Sequence, residues 1–541
     1  MANKNIRTLS SRKELEDNLF ENIATASQKE NSKEELQQLS KRFMVDDSVV
    51  LGTSTFYDFT REENKNKKVH VCSGTACMVA RSQNNLNENL ENHFSKDEIG
   101  HAACVGRCHS NNAFMFNDKT YNASTKEELN SIITNKEYQE NNYKVGSNTT
   151  PILTSKIENI NSFYELANTH KDDPQNVIQQ LKTSNLRGRG GAGFPFWFKL
   201  DAVIKENNNQ KYIVCNADEG DPGAYSDMYL MEHQAHKVLF GMYMTGLTVG
   251  AETGVLYIRG EYPDSIKIVN EAIEELKSKK LITDFKFKII RGQGSYVCGE
   301  ETALLSSIEG LRPEVRVRPP YPAQYGLYGK PTVLSNVETF ANIHWILKNG
   351  GDAYKTLGKG QSTGTKLVSL DSFFKSPGMY EIEMGTPLQT VFDEFGGGFK
   401  SEVKGLQIGG PLGGIVPMHK IKDLTLDFES LNTNGFLLGH ASFVSIPTDF
   451  PMVKFLEHLM EFTADESCGK CYPCRIGSHR GMEMLQKAQT SNYKIDKQLF
   501  DDLLETLEIG SLCALGGGIP LPVKNALQYF QDELNQYFTN N

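Results

Sequence analysis

No run of eighteen apolar residues occurs in the 541-residue chain, which excludes a membrane-spanning helix by sequence. The N-terminus also lacks an apolar core. Met1-Ala-Asn-Lys-Asn-Ile-Arg7 leads into polar sequence with Glu14 and Glu16, unlike a secretory signal and too acidic for a transit peptide. Basic residues nowhere gather into a long patch, and the net charge is −10, so nucleic acid is not an expected partner. These absences point to the cytoplasm, where thiols stay reduced and disulfides are rare. Hydrophobic content, 39%, is ordinary, and the length predicts about three to five domains.

Cysteine is what the chain does have: ten residues, which in a reducing compartment read as metal ligands before bridges. Eight fall into two sets. Near the N-terminus stand Cys72-x4-Cys77 and Cys104-x3-Cys108. Near the C-terminus stands Cys468-x2-Cys471-x2-Cys474, with Cys513 far downstream. A tight triplet plus one remote thiolate suits a [4Fe–4S] cubane, whereas structural zinc prefers two Cys-x2-Cys pairs. The N-terminal pairs suit a [2Fe–2S] cluster and also suit zinc; their loops are longer than the usual zinc knuckles. Cys215 and Cys298 lie in apolar contexts and read as buried free thiols.

Residues 10–43 predict two helices, with capping boxes at Ser11/Glu14 and Ser32/Glu35 and an apolar stripe through Leu15, Leu19 and Ile23. Residues 61–68 form a charged turn, and Val69–Val71 start a strand running into Cys72. The polar stretch 134–155 reads as a linker. Beyond it, strands at Tyr212–Cys215, Val255–Ile258 and Phe285–Ile290, with a helix around Ile266–Leu276, predict a parallel α/β sheet. Residues 366–435 read as a small β-rich domain, and helical periodicity returns from Met452.

Between the cysteine sets, Gly188-Arg-Gly190-Gly-Ala-Gly193 matches G-x-G-x-x-G, but a helix at Val177–Leu181 replaces the strand of a Rossmann turn. Its exposed N–H groups, with Arg187, Arg189 and Lys199, still suit phosphate, as they would suit a plain flexible loop. Asn216-Ala-Asp218-Glu219-Gly-Asp221 follows a strand, where open α/β sheets bind ligands; it also suits a polar turn. Gly292 to Thr302 introduces a helix with Glu300 and Glu301 in its first turn, favouring hydroxyl or amide ligands over phosphate. Arg316, Arg318 and Tyr321 place cations beside an aromatic.

Several ordered motifs together carry a resemblance: Gly188–Pro195, Asn216–Gly223, Tyr296–Leu305, Pro319–Pro322, Lys330–Thr339 and Glu466–Arg475. Residues 150–541 resemble the flavin- and NADH-binding subunit of respiratory complex I and the diaphorase subunits of NAD-linked hydrogenases and formate dehydrogenases. Residues 10–145, through Thr55-Phe-Tyr57 and Cys72-Ser-Gly-Thr-Ala-Cys77, resemble the neighbouring thioredoxin-like [2Fe–2S] subunit. Such a fusion is more typical of the soluble enzymes.

The resemblance implies a multidomain α/β protein. Residues 1–65 would be a helical segment, 66–145 a thioredoxin-like [2Fe–2S] domain and 150–350 a Rossmann-like FMN and NAD(H) domain. Residues 360–435 would be a small β-grasp-like domain, and 440–541 a helical [4Fe–4S] domain. It implies FMN on Gly188, Gly190, Lys199, Asn216, Asp218, Asn336 and Thr339, and NADH on Glu219, Glu300, Glu301 and Tyr321. Asp221, Tyr296, Gly299, Leu334 and Ser335 complete the cofactor contacts, with Asp221 and Glu301 nearest the nicotinamide and flavin. No acid–base triad is needed. Asp221 replaces the family's usual Glu, Ser335 its usual Asn, and Phe196-Trp-Phe198 replaces small residues.

The implied activity is hydride exchange between NAD(H) and FMN, then single-electron transfer through the clusters. The acidic loops would favour NAD over NADP. The implied partner is a catalytic subunit, with formate dehydrogenase ahead of hydrogenase and complex I-type alternatives and a further small [2Fe–2S] subunit compatible with the assembly. The segments Gly409–Gly414 and Gly439–Arg475 carry that preference. The rival from another class is a zinc-stabilised scaffold with a degenerate flavin pocket.

Overall fold

The computed structural model describes residues 15–135 and 139–539. Ser11 and Glu14 lie outside them. Three N-terminal helices, Leu19–Ser27, Ser32–Arg42 and Asp47–Ser54, bury Leu19, Ile23, Leu36, Leu39 and Val50 against one another. The second helix is preceded by Asn31, and Ser32 is its first helical residue, so the expected Ser32 cap is displaced by one position. Asn18 caps the first helix by accepting from the Glu21 N–H, and its amide donates to the Ile308 carbonyl at 2.8 Å. That single side chain starts the helix and ties it to the flavin-type domain.

The next unit is a four-stranded sheet in the order Ile99–Ala102, Val69–Cys72, Ala113–Phe116, Lys119–Asn122. Only the first pair is parallel. All four cysteines of the N-terminal set are buried at one end of this sheet.

The stretch expected to be a linker is more than that. Lys144–Ser147 forms a strand parallel to Gly378–Glu381 of a distant domain. Ile152 and Leu153 are buried, and the Glu381 carboxylate accepts from their N–H groups at 2.8 and 2.9 Å. Lys237 donates to the carbonyls of the same two residues, both at 2.9 Å. Polar composition masked this because the segment's partners lie far along the chain, Lys237 over eighty residues away and Gly378–Glu381 over two hundred.

The third unit is a parallel sheet in the order Lys286–Arg291, Thr253–Ile258, Tyr212–Ala217, Thr332–Asn336. Its central strands are apolar runs buried on both faces, as parallel sheets covered by helices require. The fourth unit is a six-stranded mixed sheet. Its order is Ile415–Pro417, Val403–Ile408, Ser442–Pro447, Thr365–Leu370, Gly378–Glu383 and Lys144–Ser147. It therefore takes strands from either side of the expected limits at 360 and 435. Helices Met452–Asp465, Ser478–Thr490, Lys497–Gly510 and Pro520–Tyr529 close the fold. Among the described residues, no helix is long and apolar enough to cross a membrane.

Candidate functional site: a cavity between two cysteine clusters

A cavity of about 1240 Å³ opens at the C-terminal ends of strands Tyr212–Ala217 and Thr332–Asn336. That is where open α/β sheets place their ligands. The Gly-rich loop forms one wall. The preceding helix ends at Asn185 in the left-handed conformation, and the chain folds back on itself: the Gly188 N–H donates to the Phe194 carbonyl at 2.8 Å. A Cβ on Gly190 would stand 2.9 Å from the Asn336 Cβ, so the loop meets the strand end only with glycine there.

The loop's cations divide. Lys199 lines the cavity, with its ammonium on the Leu334 carbonyl at 2.9 Å. Arg187 also lines it, but its guanidinium is held by the Gly193 carbonyl at 2.7 Å and by Glu429. Arg189, expected to face phosphate, is buried and donates to the Tyr354 hydroxyl and the Thr363 carbonyl. It pins the loop to the segment 354–363 that leads into the mixed-sheet strand Thr365–Leu370. Thr339 likewise lies behind the wall, accepting from the Arg189 N–H at 2.9 Å. It supports the loop from outside the cavity.

On the opposite side, Asn216 donates to the Gly299 carbonyl at 2.8 Å, and beside it stands Asp218. Burial holds the Asp218 carboxyl well above the usual range, and its Oδ2 has no hydrogen-bond partner among the described residues. A buried, unpartnered acceptor on a cavity wall is costly unless a ligand donates to it. A flavin-ring N–H or a ribose hydroxyl fits this requirement. Asp221 follows, receiving the Tyr296 hydroxyl at 2.8 Å. Burial pushes its carboxyl up to about 7, against that bond's lowering effect.

Glu219 lies elsewhere than expected. Its carboxylate is wholly buried and accepts from Ser226, Asp227 and Met228 N–H groups and the Tyr262 hydroxyl. It caps the helix Ser226–His233 from within, leaving nothing to offer NADH. Alternation along the turn explains the difference: Asp218 and Asp221 reach the cavity, while Glu219 points under it.

Glu300 is the N-cap of helix Glu301–Ile308, accepting from the Thr302 and Ala303 N–H groups with Oε2, while Oε1 accepts no hydrogen bond and faces the Arg318 guanidinium across 4.0 Å. Glu301 meets Arg318 at 2.8 Å and Lys199 at 3.5 Å. Arg316, by contrast, is paired with Glu309 at 3.0 Å. Tyr296, Gly299, Leu334, Ser335 and Asn336 all line the cavity, and Tyr321 stands exposed at its edge. Sequence reasoning noted Phe198 only as a departure beside the Gly-rich loop and missed Phe194; they are 50% and 45% exposed on the same wall with rings 5.7 Å apart. Two aromatics flanking a Gly-rich loop were the signal that could have found them. It also missed His440 and Asp227, for which no local pattern exists.

The C-terminal cysteines reach this cavity directly, since Cys513 and Leu515 are part of its wall. Cys468, Cys471 and Cys474 occupy the loop between helices Met452–Asp465 and Ser478–Thr490. The Leu512 N–H donates to the Cys471 sulfur at 3.3 Å, which brings the Cys513 segment onto the triplet. Burial pushes the Cys513 thiol up to about 12. A metal that takes up its thiolate reverses that penalty.

The N-terminal set adjoins the cavity from behind. The Cys104 and Cys108 sulfurs lie 3.5 Å apart, and Cys72 hydrogen-bonds with Cys77 and Cys104. The Gly223 N–H donates to the Cys108 sulfur at 3.2 Å, so the turn that starts at Asp221 ends on this set. Arg259 clamps the joint, donating to the Cys104 and Glu219 carbonyls.

Three family descriptions match the chain: the Nuo51 FMN-binding domain over residues 181–345, the NADH-ubiquinone oxidoreductase-F iron-sulfur binding region over 454–537, and the thioredoxin-like [2Fe-2S] ferredoxin over 18–137. The HndC subunit of the NADP-reducing hydrogenase of Solidesulfovibrio fructosivorans is 39% identical over 371 residues, covering 66% of this chain and 75% of that one. The mitochondrial NADH dehydrogenase [ubiquinone] flavoprotein 1 of Dictyostelium discoideum is 35% identical over 372 residues, 66% and 78% of the two chains. A crystal structure of an NAD+-reducing [NiFe]-hydrogenase superposes with a TM-score of 0.86 at 26% identity, covering 97% of this chain and 94% of that one. The chain thus carries an FMN-binding domain over the cavity's Gly-rich wall, a [4Fe–4S] region that includes all four C-terminal cysteines, and a thioredoxin-like [2Fe–2S] domain that includes the N-terminal four. The chain belongs to the family of NADH-binding flavoprotein subunits found in NAD-reducing hydrogenases and complex I-type enzymes, with the thioredoxin-like [2Fe–2S] domain fused in front.

Proposed function

We propose that this chain is the diaphorase subunit of a cytoplasmic NAD-reducing hydrogenase-type assembly, and that electrons pass between its cavity and a separate catalytic subunit. The observation that carries this reading is that one cavity wall holds both the unpartnered Asp218 carboxyl and the cluster ligand Cys513. Bound flavin supplies the exchange between hydride and single-electron chemistry.

The residues bind, orient and shield. The N–H groups of Gly190 to Gly193, with Lys199, would receive phosphate. Asp218 would accept a ring N–H, Asn216 and Asn336 would hold the flavin at the strand ends, and Phe194, Phe198 and Tyr321 would offer aromatic faces to the dinucleotide. Glu300 Oε1, which accepts no hydrogen bond within the chain, would accept from ribose hydroxyls, and a carboxylate there would oppose a 2′-phosphate. Leu412 and Leu515 cover the side toward Cys513 and exclude water. Asp221 is one methylene shorter than a glutamate and is tied to Tyr296, so it presents its carboxyl from the back of the cavity. No side chain has to act as a nucleophile.

The hydrogenase reading draws on the end-to-end superposition with the NAD+-reducing [NiFe]-hydrogenase chain. The second reading, a formate dehydrogenase partner, draws on the glycine-rich segment Gly409–Gly414, which lines the cavity above Asp221. Purifying the native complex and analysing its metals separates them: nickel supports the first, molybdenum or tungsten the second. In the purified holoprotein, NADH should reduce an artificial dye. Cys471→Ser should leave FMN bound and block reduction of the natural partner. Zinc in place of iron, or no dye reduction with FMN and clusters present, would overturn the proposal.

A further inference from the structure

His440 occupies a position that the flavin reading leaves unused. It comes from the mixed-sheet domain, on the turn entering strand Ser442–Pro447, yet its ring is buried among residues of the parallel-sheet domain. The turn is built to deliver it. Gly439 and Ala441, on either side, both have positive φ, 52° and 59°. For alanine that conformation is uncommon and persists only when the surroundings hold it. Here the Ala441 N–H is taken by the Leu438 carbonyl at 2.9 Å, and its carbonyl accepts from Ser369 at 3.1 Å.

The ring's neighbours assign its tautomer. The Asn336 amide donates to Asp227 at 2.6 Å and reaches Nε2 at 3.2 Å, so Nε2 is the acceptor. Nδ1 therefore carries the proton, and it faces Asp221 Oδ2 across 3.7 Å. Asp227 Oδ2 lies 3.5 Å from Nε2. Beyond these stand the buried Glu338–Lys366 pair and the helix-capping Glu219. Burial, with Lys366 nearby, holds the imidazole down at about 3, so it is neutral near pH 7.

We infer that His440 is a positioning residue for the flavin site, orienting Asp221 through Nδ1 and Asn336 through Nε2 from the neighbouring mixed-sheet domain. Asp221 closes the turn after one strand, and Asn336 ends the neighbouring strand against Gly190. One ring thus sets two walls of the cavity at once. The inference rests on the proposed flavin and dinucleotide site.

Amide variants separate the two sides of the ring. Asparagine reproduces the Nδ1 position and glutamine the Nε2 position. His440→Gln should keep the FMN dissociation constant, read from the fluorescence of released flavin, within about twofold. With flavin saturating, it should lower kcat/KM for NADH with a dye acceptor about tenfold. His440→Asn should do the reverse, weakening FMN about tenfold with kcat/KM kept within about twofold. His440→Ala should lose both, and iron content should be unchanged in all three. Equal losses in both amide variants, no loss in either, or failure of all three to fold with iron bound would overturn the inference. If the unaltered holoprotein fails to reduce dye, the functional reading fails, while the FMN titrations still decide the Asn336 side.

Discussion

The two cysteine sites differ most in what surrounds them. The N-terminal four are all buried, sealed between their own sheet, the Asp221–Gly223 turn and Arg259. At the C-terminal site Cys471 and Cys513 are only partly covered, and Tyr472 and Ile509 beside them are 71% and 77% exposed. Ile476 and Leu512 extend that apolar rim. A sealed centre serves the chain's interior, whereas a half-open one under an apolar rim has the form of a contact face. Both adjoin the same cavity, one through Cys513 in its wall and one through the backbone behind Asp221. Under the proposed function, electrons exit at the open site, and the sealed site exchanges with the cavity alone.

Removing one ligand from each site gives the largest contrast. Cys471→Ser should abolish transfer to the partner while dye reduction by NADH persists. Cys104→Ser should leave partner reduction measurable, and equal losses would contradict the assignment of a single exit.

Breaking the seal should come next. Arg259 and Glu261 form a buried pair at 2.7 Å, and Arg259→Leu leaves the glutamate without its cation. A destabilisation of about 3–5 kcal/mol is expected, read by urea unfolding of the holoprotein. The [2Fe–2S] signal should be lost before the [4Fe–4S] signal.

The open rim should matter less to folding and more to association. Ile509→Lys should weaken binding of the partner subunit by about 2 kcal/mol, measured by titration calorimetry, with thermal stability unchanged. Unchanged affinity would mean that the partner docks elsewhere.

The smallest effect concerns the joint between the two cluster domains. His458, on helix Met452–Asp465, meets the Thr75 hydroxyl at 3.2 Å, and burial lowers its pKa to about 4. Its neutral form is the one the fold prefers. The stability it contributes is present above the unfolded value near 6.5 and is lost as pH falls toward 4. His458→Gln, which keeps a hydrogen-bonding group without titrating, should flatten that acid limb by at most about 1.4 kcal/mol per pH unit.

Local patterns made the chemistry legible and left its orientation hidden. Cysteine spacing grouped the thiols that the fold brings together, and apolar runs located the parallel strands, because each depends on neighbours in sequence. The cavity's polar lining was half legible: Asp218 and Asp221 face it, but Glu219 between them serves the next helix. Arg189 was misread for the same reason, since its partners Tyr354 and Thr363 belong to distant segments. His440 had no signal, because its partners come from two stretches, Asp221–Asp227 and Asn336, each more than a hundred residues away. Long-range packing decides which way a polar side chain turns, and spacing does not report it.

The strand Lys144–Ser147 carries a consequence for how the chain can be divided. It covers the border strand Gly378–Glu383, so the polypeptide that joins the first cluster domain to the rest also finishes another domain's sheet. Cutting the chain after residue 147 would uncover a row of unpaired backbone groups on that border. A version split there and expressed as residues 148–541 alone should self-associate on size-exclusion chromatography, and one split before residue 140 should stay monodisperse. The join between the two modules is therefore a shared structural member, and a separation that respects the cysteine sets would still break the protein in the wrong place.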